Sequence, residues 1–203
     1  MTIRKGEPWG EIGTAPGDLV IIRSDPELHR WVVRHREADQ PIAPLGLGGG
    51  DLARTAGGGG ADRFRGPVAH VPLDLVRVEA DGRVTWSAAH VVARRSWLTG
   101  PVLFAMTAQY LDGLDLAPRS HPNDGRVDVL EVAPAMSVRQ RISARRRART
   151  GTHLPHPSLS MRQVSQFDIA FARPQVIWVD GVRWATAGSL RLVVEPDAYT
   201  AYV

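Results

Sequence analysis

Residues 121–130 read HPNDGRVDVL, and two opposite backbone demands meet there. Pro122, Asn123, Asp124 and Gly125 are turn formers: proline fixes φ, the Asn and Asp side chains bond to their own backbone, and glycine accepts positive φ without a Cβ clash. The following VDVLEV (127–132) alternates about a β-branched face, which predicts a strand. A tight turn feeding a strand is the unit from which the rest of the chain can be read.

Working outward, the same period of two recurs. Leu73, Leu75 and the stretch VRVEADGRVTW predict a hairpin turning at Asp81-Gly82, where both turn residues tolerate positive φ. Further strands are expected at 89–93, 102–107, 161–171, 175–179, 190–194 and 199–203, with turn signals between them. Such a run predicts an antiparallel sandwich, interrupted by one arginine-rich helix over 138–150 whose thin apolar stripe, Val138 and Ile142, would lie on a surface. The first sixty residues differ. DLVII (18–22) suits a buried parallel strand, and SDPELHRWVVRHREAD predicts a helix with Asp25 as N-cap, Pro26 in the first turn, and Leu28, Trp31 and Val32 on one face. A second short strand at 41–45 precedes a short helix capped by Asp51. The expected organisation is α+β: an N-terminal arm with half of an α/β nucleotide-binding lobe over 1–60, then a β-sandwich over 61–203.

Five blocks in order carry a resemblance to a known family. They are PLGLGGGDLART (44–55), YLDGLDLAPRS (110–120), HPNDGRVDVL, GTHLPHPSL (151–159) and VIWVDG (176–181). Together they resemble the diacylglycerol kinase and sphingosine kinase superfamily of lipid kinases, over roughly residue 18 to the C-terminus. The resemblance implies an α/β nucleotide lobe joined to a β-sandwich with the active site between them. It also implies that this chain is truncated, lacking the opening strand-helix units of that lobe.

Phosphoryl transfer needs a phosphate cradle, a metal and a base near the acceptor hydroxyl. Where the family carries a G-G-D-G-T cradle, this chain has Arg23-Ser24-Asp25-Pro26-Glu27. Only the aspartate is kept; proline offers no N–H and Glu27 repels a triphosphate, which argues against ATP binding in the family manner. Gly46, Gly48, Gly49 and Gly50 precede Asp51 as a glycine-rich loop that can hold a phosphate at a helix start. A linker and a simple helix cap are the plainer readings of that loop and of Asp51. Where the family has V-D-G-E, this chain reads Val179-Asp180-Gly181-Val182, so the proposed base is lost and Asp180 is either its substitute or a turn residue. Asp124 matches a family position associated with structural magnesium, a hard ion suited to carboxylate oxygens. His153 and His156 have zinc-like spacing but no evident third ligand.

Composition narrows the classes further. The 203 residues include no cysteine, which excludes disulfides and thiolate zinc sites and is compatible with a reducing cytoplasm. No apolar run approaches the roughly 20 residues of a membrane span, so membrane contact is expected to be peripheral. Lys5 is the only lysine among 25 basic residues, net charge is +4, and the arginines cluster: Arg139, Arg141, Arg145, Arg146, Arg147 and Arg149. Arg145, Arg146 and Arg147 are candidates for contact with phosphate or an anionic membrane, a solvated helix face being the alternative.

The favoured reading is a degenerate lipid-kinase fold that binds a lipid or phosphorylated ligand without efficient transfer. The alternatives are an active ATP- and magnesium-dependent lipid kinase, with Asp25, Asp51 and Asp180 at its centre, and a basic nucleic-acid binder. A homodimer or a partner chain is one way the missing N-terminal parts of the lobe could be supplied.

Overall fold

A computed structural model describes residues 8–58, 60 and 64–203. It opens with β1 (Glu11–Thr14), β2 (Ile21–Ile22), α1 (Asp25–Glu37), β3 (Leu45–Leu47) and α2 (Asp51–Thr55). A hairpin of long β4 (Pro67–Ala80) and short β5 (Arg83–Ser87) follows, then β6 (His90–Arg94), β7 (Val102–Met106), and a small hairpin of β8 (Tyr110–Leu111) and β9 (Leu114–Asp115). The chain ends with β10 (Val127–Val132), α3 (Val138–Ala148), β11 (Leu159–Val164), β12 (Gln166–Val179) and β13 (Val182–Tyr202). The protein is mostly antiparallel sheet with few helices. No helix among the described residues is long and apolar enough to cross a membrane.

Where the sequence predicts a two-layer sandwich, hydrogen bonding is instead continuous through one 11-stranded sheet in the order β1-β4-β13-β12-β6-β7-β10-β11. Strand β5 pairs with β4, and β3 joins β13 in parallel through Ala201 opposite Leu45, with β2 beyond it. The sheet curls. Val76 and Val78 of β4 share one apolar core with Val127 and Val129 of β10, although four strands lie between them in the sheet order. A second core packs α1, β2, β3 and α2 against Leu73, Leu75, Tyr199 and Ala201, and a third lies between the sheet and α3.

Several boundaries correct the sequence reading. The single strand expected at 161–171 is two, because the chain breaks at Ser165, whose carbonyl instead accepts the Val194 amide at 2.9 Å. The strands expected at 190–194 and 199–203 are one, because a register shift between Glu195 and Tyr199 absorbs Pro196, which has no N–H to offer a ladder. The helix cap also moves. Ser24 is the N-cap of α1 and Asp25 is its first helical residue, which frees the Asp25 side chain for another partner. The predicted turn at Asp81-Gly82 is present with φ of 45° and 82°.

Candidate functional site

The glycine-rich loop after β3 places α2 against the start of α1. Gly46 and Gly48 donate their amides to the Val20 and Ile22 carbonyls at 2.8 and 2.7 Å, so those two N–H groups hold the parallel β2–β3 pair together rather than standing free for an anion. The loop is glycine for space: a Cβ at Gly49 would lie 2.5 Å from the Arg23 carbonyl oxygen. A Cβ at Gly50, which has φ +98°, would lie 2.6 Å from Asp25 Oδ1. This close approach brings Asp25 onto the amino end of α2, where its carboxylate accepts the Asp51 amide at 2.7 Å and the Leu52 amide at 3.2 Å. At the start of α1, the Glu27 carboxylate accepts the Arg23 amide at 2.8 Å. An acidic side chain therefore occupies the backbone donors at the start of α2, and another holds the residue just before the cap of α1.

Asp51 projects from α2 toward β6 and the β8–β9 turn. Its Oδ2 accepts the Asp112 amide at 2.8 Å and lies 3.7 Å from His90 Nε2. His90 is buried, and Asp25, Asp51 and His90 offer ligand atoms that all lie within 4.8 Å of one another. Beneath them Asp180, fully buried, accepts from the Ser87 hydroxyl and from the Ala88, Ala89 and His90 amides at 2.8–2.9 Å. His29 Nδ1 donates to the Trp86 carbonyl at 3.0 Å and lies 3.8 Å from Asp180 Oδ2.

The charges respond to this crowding. Burial pushes the Asp25 carboxyl up, outweighing the Asp51 amide and His90. Burial pushes Asp51 up as well, but His90 and the Asp112 amide together pull it below the ordinary carboxylate range. Burial alone would lower His90; Asp51, Asp180 and Asp25 together raise it above the usual imidazole value. His90 is thus set among three aspartates, Asp25, Asp51 and Asp180, that favour its protonation.

Next to it lies a cavity of about 230 Å³ between the sheet and α3. Its walls are mostly apolar, among them Phe104, Leu111, Leu116, Leu130 and Met136, with Asp112, Arg141 and Arg145 as polar groups. Asp112 links cavity and carboxylates, since it lines the one and donates its amide to Asp51. A separate depression of about 290 Å³, lined in part by Leu103, Glu131 and Phe171, touches none of Asp25, Asp51, His90 or Asp180.

The sequence matches no protein-family model and no curated protein. Among solved structures, a diacylglycerol kinase from Bacillus anthracis strain Sterne superposes with a TM-score of 0.64, covering 92% of this chain and 76% of its own at 12% identity. Two further structures from that strain, described provisionally as diacylglycerol kinases, each give a TM-score of 0.66 at 13% and 12% identity, covering 92% and 91% of this chain and 78% and 77% of theirs. The fold is that of a diacylglycerol kinase.

Within the diacylglycerol-kinase fold, the residues singled out by sequence separate into groups. Asp25 and Asp51 meet, 26 positions apart in the chain. Asp180 accepts the His90 amide and adds its charge to the field on Asp25. Its oxygens accept from four donors and are closed to solvent, so it positions the 87–90 segment. Its φ of 47° beside Gly181 also fits the turn reading.

Asp124 stands apart, on the turn before β10. Its Oδ1 accepts the Arg126 amide at 3.0 Å, and burial, with Asp128 and Asp74 adding to it, raises its carboxyl to about 6. Asp74, which the sequence reading passed over, anchors this turn: it accepts from the Asn123 side chain and from the Gly125 and Asp197 amides. Asn123 Oδ1 is buried with no protein partner.

Arg145, Arg146 and Arg147 are exposed on α3, and of these Arg145 lines the cavity. Arg141 from the same cluster is buried instead and donates to the carbonyls of Met136, Trp97, Gly100 and Ala133. Sequence reasoning missed His90 altogether. The available signal was a histidine in SAAHVVA, the one ionisable residue in an otherwise small and apolar run.

Proposed function

We propose that this chain binds a lipid alcohol, with its apolar part in the α3 cavity and its hydroxyl end toward Asp112 and Asp51, and without efficient phosphoryl transfer. The observation carrying this is the junction of an apolar cavity with a carboxylate through a single residue, Asp112. Against nucleotide binding stand the start of α2, whose Asp51 and Leu52 amides already meet Asp25, and Val182 in place of a carboxylate. A phosphate approaching that start would face an acidic side chain rather than open N–H groups.

Magnesium, if used, would be held by the Asp124 turn. The raised Asp124 and Asp128 carboxyls and the orphaned Asn123 Oδ1 are the hard, under-compensated oxygen donors that such an ion relieves.

The second reading is an active lipid kinase, favoured by the kinase designation of the structural neighbours and by the Asp51–His90 pair, in which a carboxylate stands ready to accept a hydroxyl proton. The test is transfer of label from radioactive ATP with magnesium into a total lipid extract, native protein against Asp51→Ala. A labelled lipid band that disappears in the variant establishes a kinase. No label, with an intact circular dichroism spectrum and saturable binding of a short-chain fluorescent diacylglycerol, supports the binding module.

A further inference from the structure

Helix α3 leaves its apolar stripe partly in solvent. Val138 and Ile142 are 41% and 44% exposed, while Arg141, one turn on from Val138, is buried. Ser137 caps the helix through a reciprocal pair with Gln140, so this orientation is set from its first turn. Beside it, the loop between β6 and β7 holds Trp97 and Leu98 out at 43% and 52% exposure. That loop is built to do so. Ser96 Oγ accepts the Leu98 and Thr99 amides, Arg94 lies over the Trp97 ring at 3.9 Å, and Phe104 stacks with that ring at 5.8 Å between centroids. Arg141 then ties the loop to α3 through the Trp97 and Gly100 carbonyls.

Trp97, Leu98 and Ile142 also line the α3 cavity, so the exposed apolar groups form its rim. Around them stand the exposed arginines Arg95, Arg139, Arg145, Arg146 and Arg149. The two segments that supply this face, 82–111 and 132–167, contain no Asp or Glu. Exposed apolar residues inside a ring of like charge mark an interaction surface, and its partner must be apolar within and anionic at its border. An anionic lipid leaflet meets both conditions: tryptophan sits at the headgroup level, aliphatic side chains enter the acyl boundary, and guanidinium groups meet phosphates.

We infer that this rim docks on an anionic membrane surface and opens the cavity directly onto the leaflet. The inference rests on the lipid-binding reading of the cavity and names where its ligand comes from. Cavity size agrees: about 230 Å³ is below the roughly 300–1,000 Å³ of a site enclosing a small molecule. Part of a lipid chain would therefore remain in the bilayer while its polar end reaches Asp112.

The test is co-sedimentation of the full chain with phosphatidylcholine vesicles, with and without phosphatidylglycerol. Binding is expected only with the anionic lipid and is expected to weaken with salt. Each arginine near an anionic surface contributes roughly a five-fold gain in partitioning, so Arg145→Gln with Arg146→Gln is expected to lose roughly 25-fold. Trp97→Leu is expected to keep docking and to abolish the tryptophan quenching caused by lipids brominated along their chains. Val138→Asp with Arg146→Gln lies outside the cavity lining; it is expected to lose vesicle binding while keeping the short-chain fluorescent lipid. Absent vesicle binding by the native protein, undiminished binding by Val138→Asp/Arg146→Gln, or unchanged quenching in Trp97→Leu would each overturn the inference. Vesicle binding without short-chain lipid binding would leave the docking face standing and overturn the ligand reading instead.

Discussion

The carboxylate of Asp25, the first residue of α1, accepts the backbone N–H of Asp51 at 2.7 Å and so closes the amino end of α2. One helix start caps the other. The arrangement fixes the Asp51 side chain in its position toward His90 and Asp112, because the α2 backbone can no longer rotate away. Asp25→Ala leaves two amides without acceptors in a buried site, a loss of about 2 to 3 kcal/mol in urea unfolding. Asp25→Asn keeps an oxygen acceptor and is expected to lose less than half as much. Equal losses would mean that charge, not hydrogen bonding, holds the junction.

Gly50 reports on the same junction. A Cβ there meets Asp25 Oδ1 at 2.6 Å on a backbone of φ +98°, so Gly50→Ala combines a clash with left-handed strain. The expected cost is about 2 to 4 kcal/mol. Gly82→Ala, with φ +82° and nothing within 4 Å of its Cβ, is the control for strain alone and is expected to cost about 1 kcal/mol. If the two variants unfold alike, Asp25 does not crowd Gly50.

The parts of this architecture that sequence made legible are those governed by local chemistry. The turn at 122–125, the 127–132 strand and the Asp81-Gly82 hairpin follow from φ preferences and alternation, which act over a few residues. The Asp25 cap was misplaced because Ser24 and Asp25 are both good capping residues, and the choice between them was made by α2, more than twenty residues on. His90 was invisible because its meaning comes from Asp25, Asp51 and Asp180, which only the folded chain brings together. The continuity of β12 and β13 was missed for a related reason. Pro174 and Pro196 read locally as strand ends, but their partners absorb them as register shifts.

His90 makes stability depend on pH above the ordinary imidazole value. Burial opposes its charge, but Asp51, Asp180 and Asp25 raise its affinity for a proton above that of an unfolded histidine. The stability this contributes is complete below the unfolded value of about 6.5 and is lost as pH rises through the higher folded value. His90→Leu removes the cation and leaves the carboxylates facing each other, an expected loss of about 3 to 5 kcal/mol at pH 6. Unfolding free energies from pH 6 upward should fall for the native protein and stay flatter for the variant. Parallel curves would sink the assignment.

Asp124 acts in a lower window and with the opposite residue type. Its carboxyl is raised to about 6, first by burial and then by Asp128 and Asp74, so the folded chain holds a proton that the unfolded chain releases near 3.8. A raised carboxyl costs stability as it ionises: stability is expected to fall as pH rises from about 4 through about 6. Solvent screening reduces the full linkage value, leaving about 1 to 2 kcal/mol at pH 7. Asp124→Asn keeps the acceptor for the Arg126 amide and removes the charge, so it is expected to raise Tm at pH 7 and leave it unchanged at pH 4. Magnesium offers the native protein a different relief. If Asp124 helps to hold that ion, millimolar magnesium raises Tm at pH 7 in the native protein and not in Asp124→Asn, read by the same thermal melts. An equal shift in both would place the ion elsewhere, and no shift in either would remove magnesium from this turn.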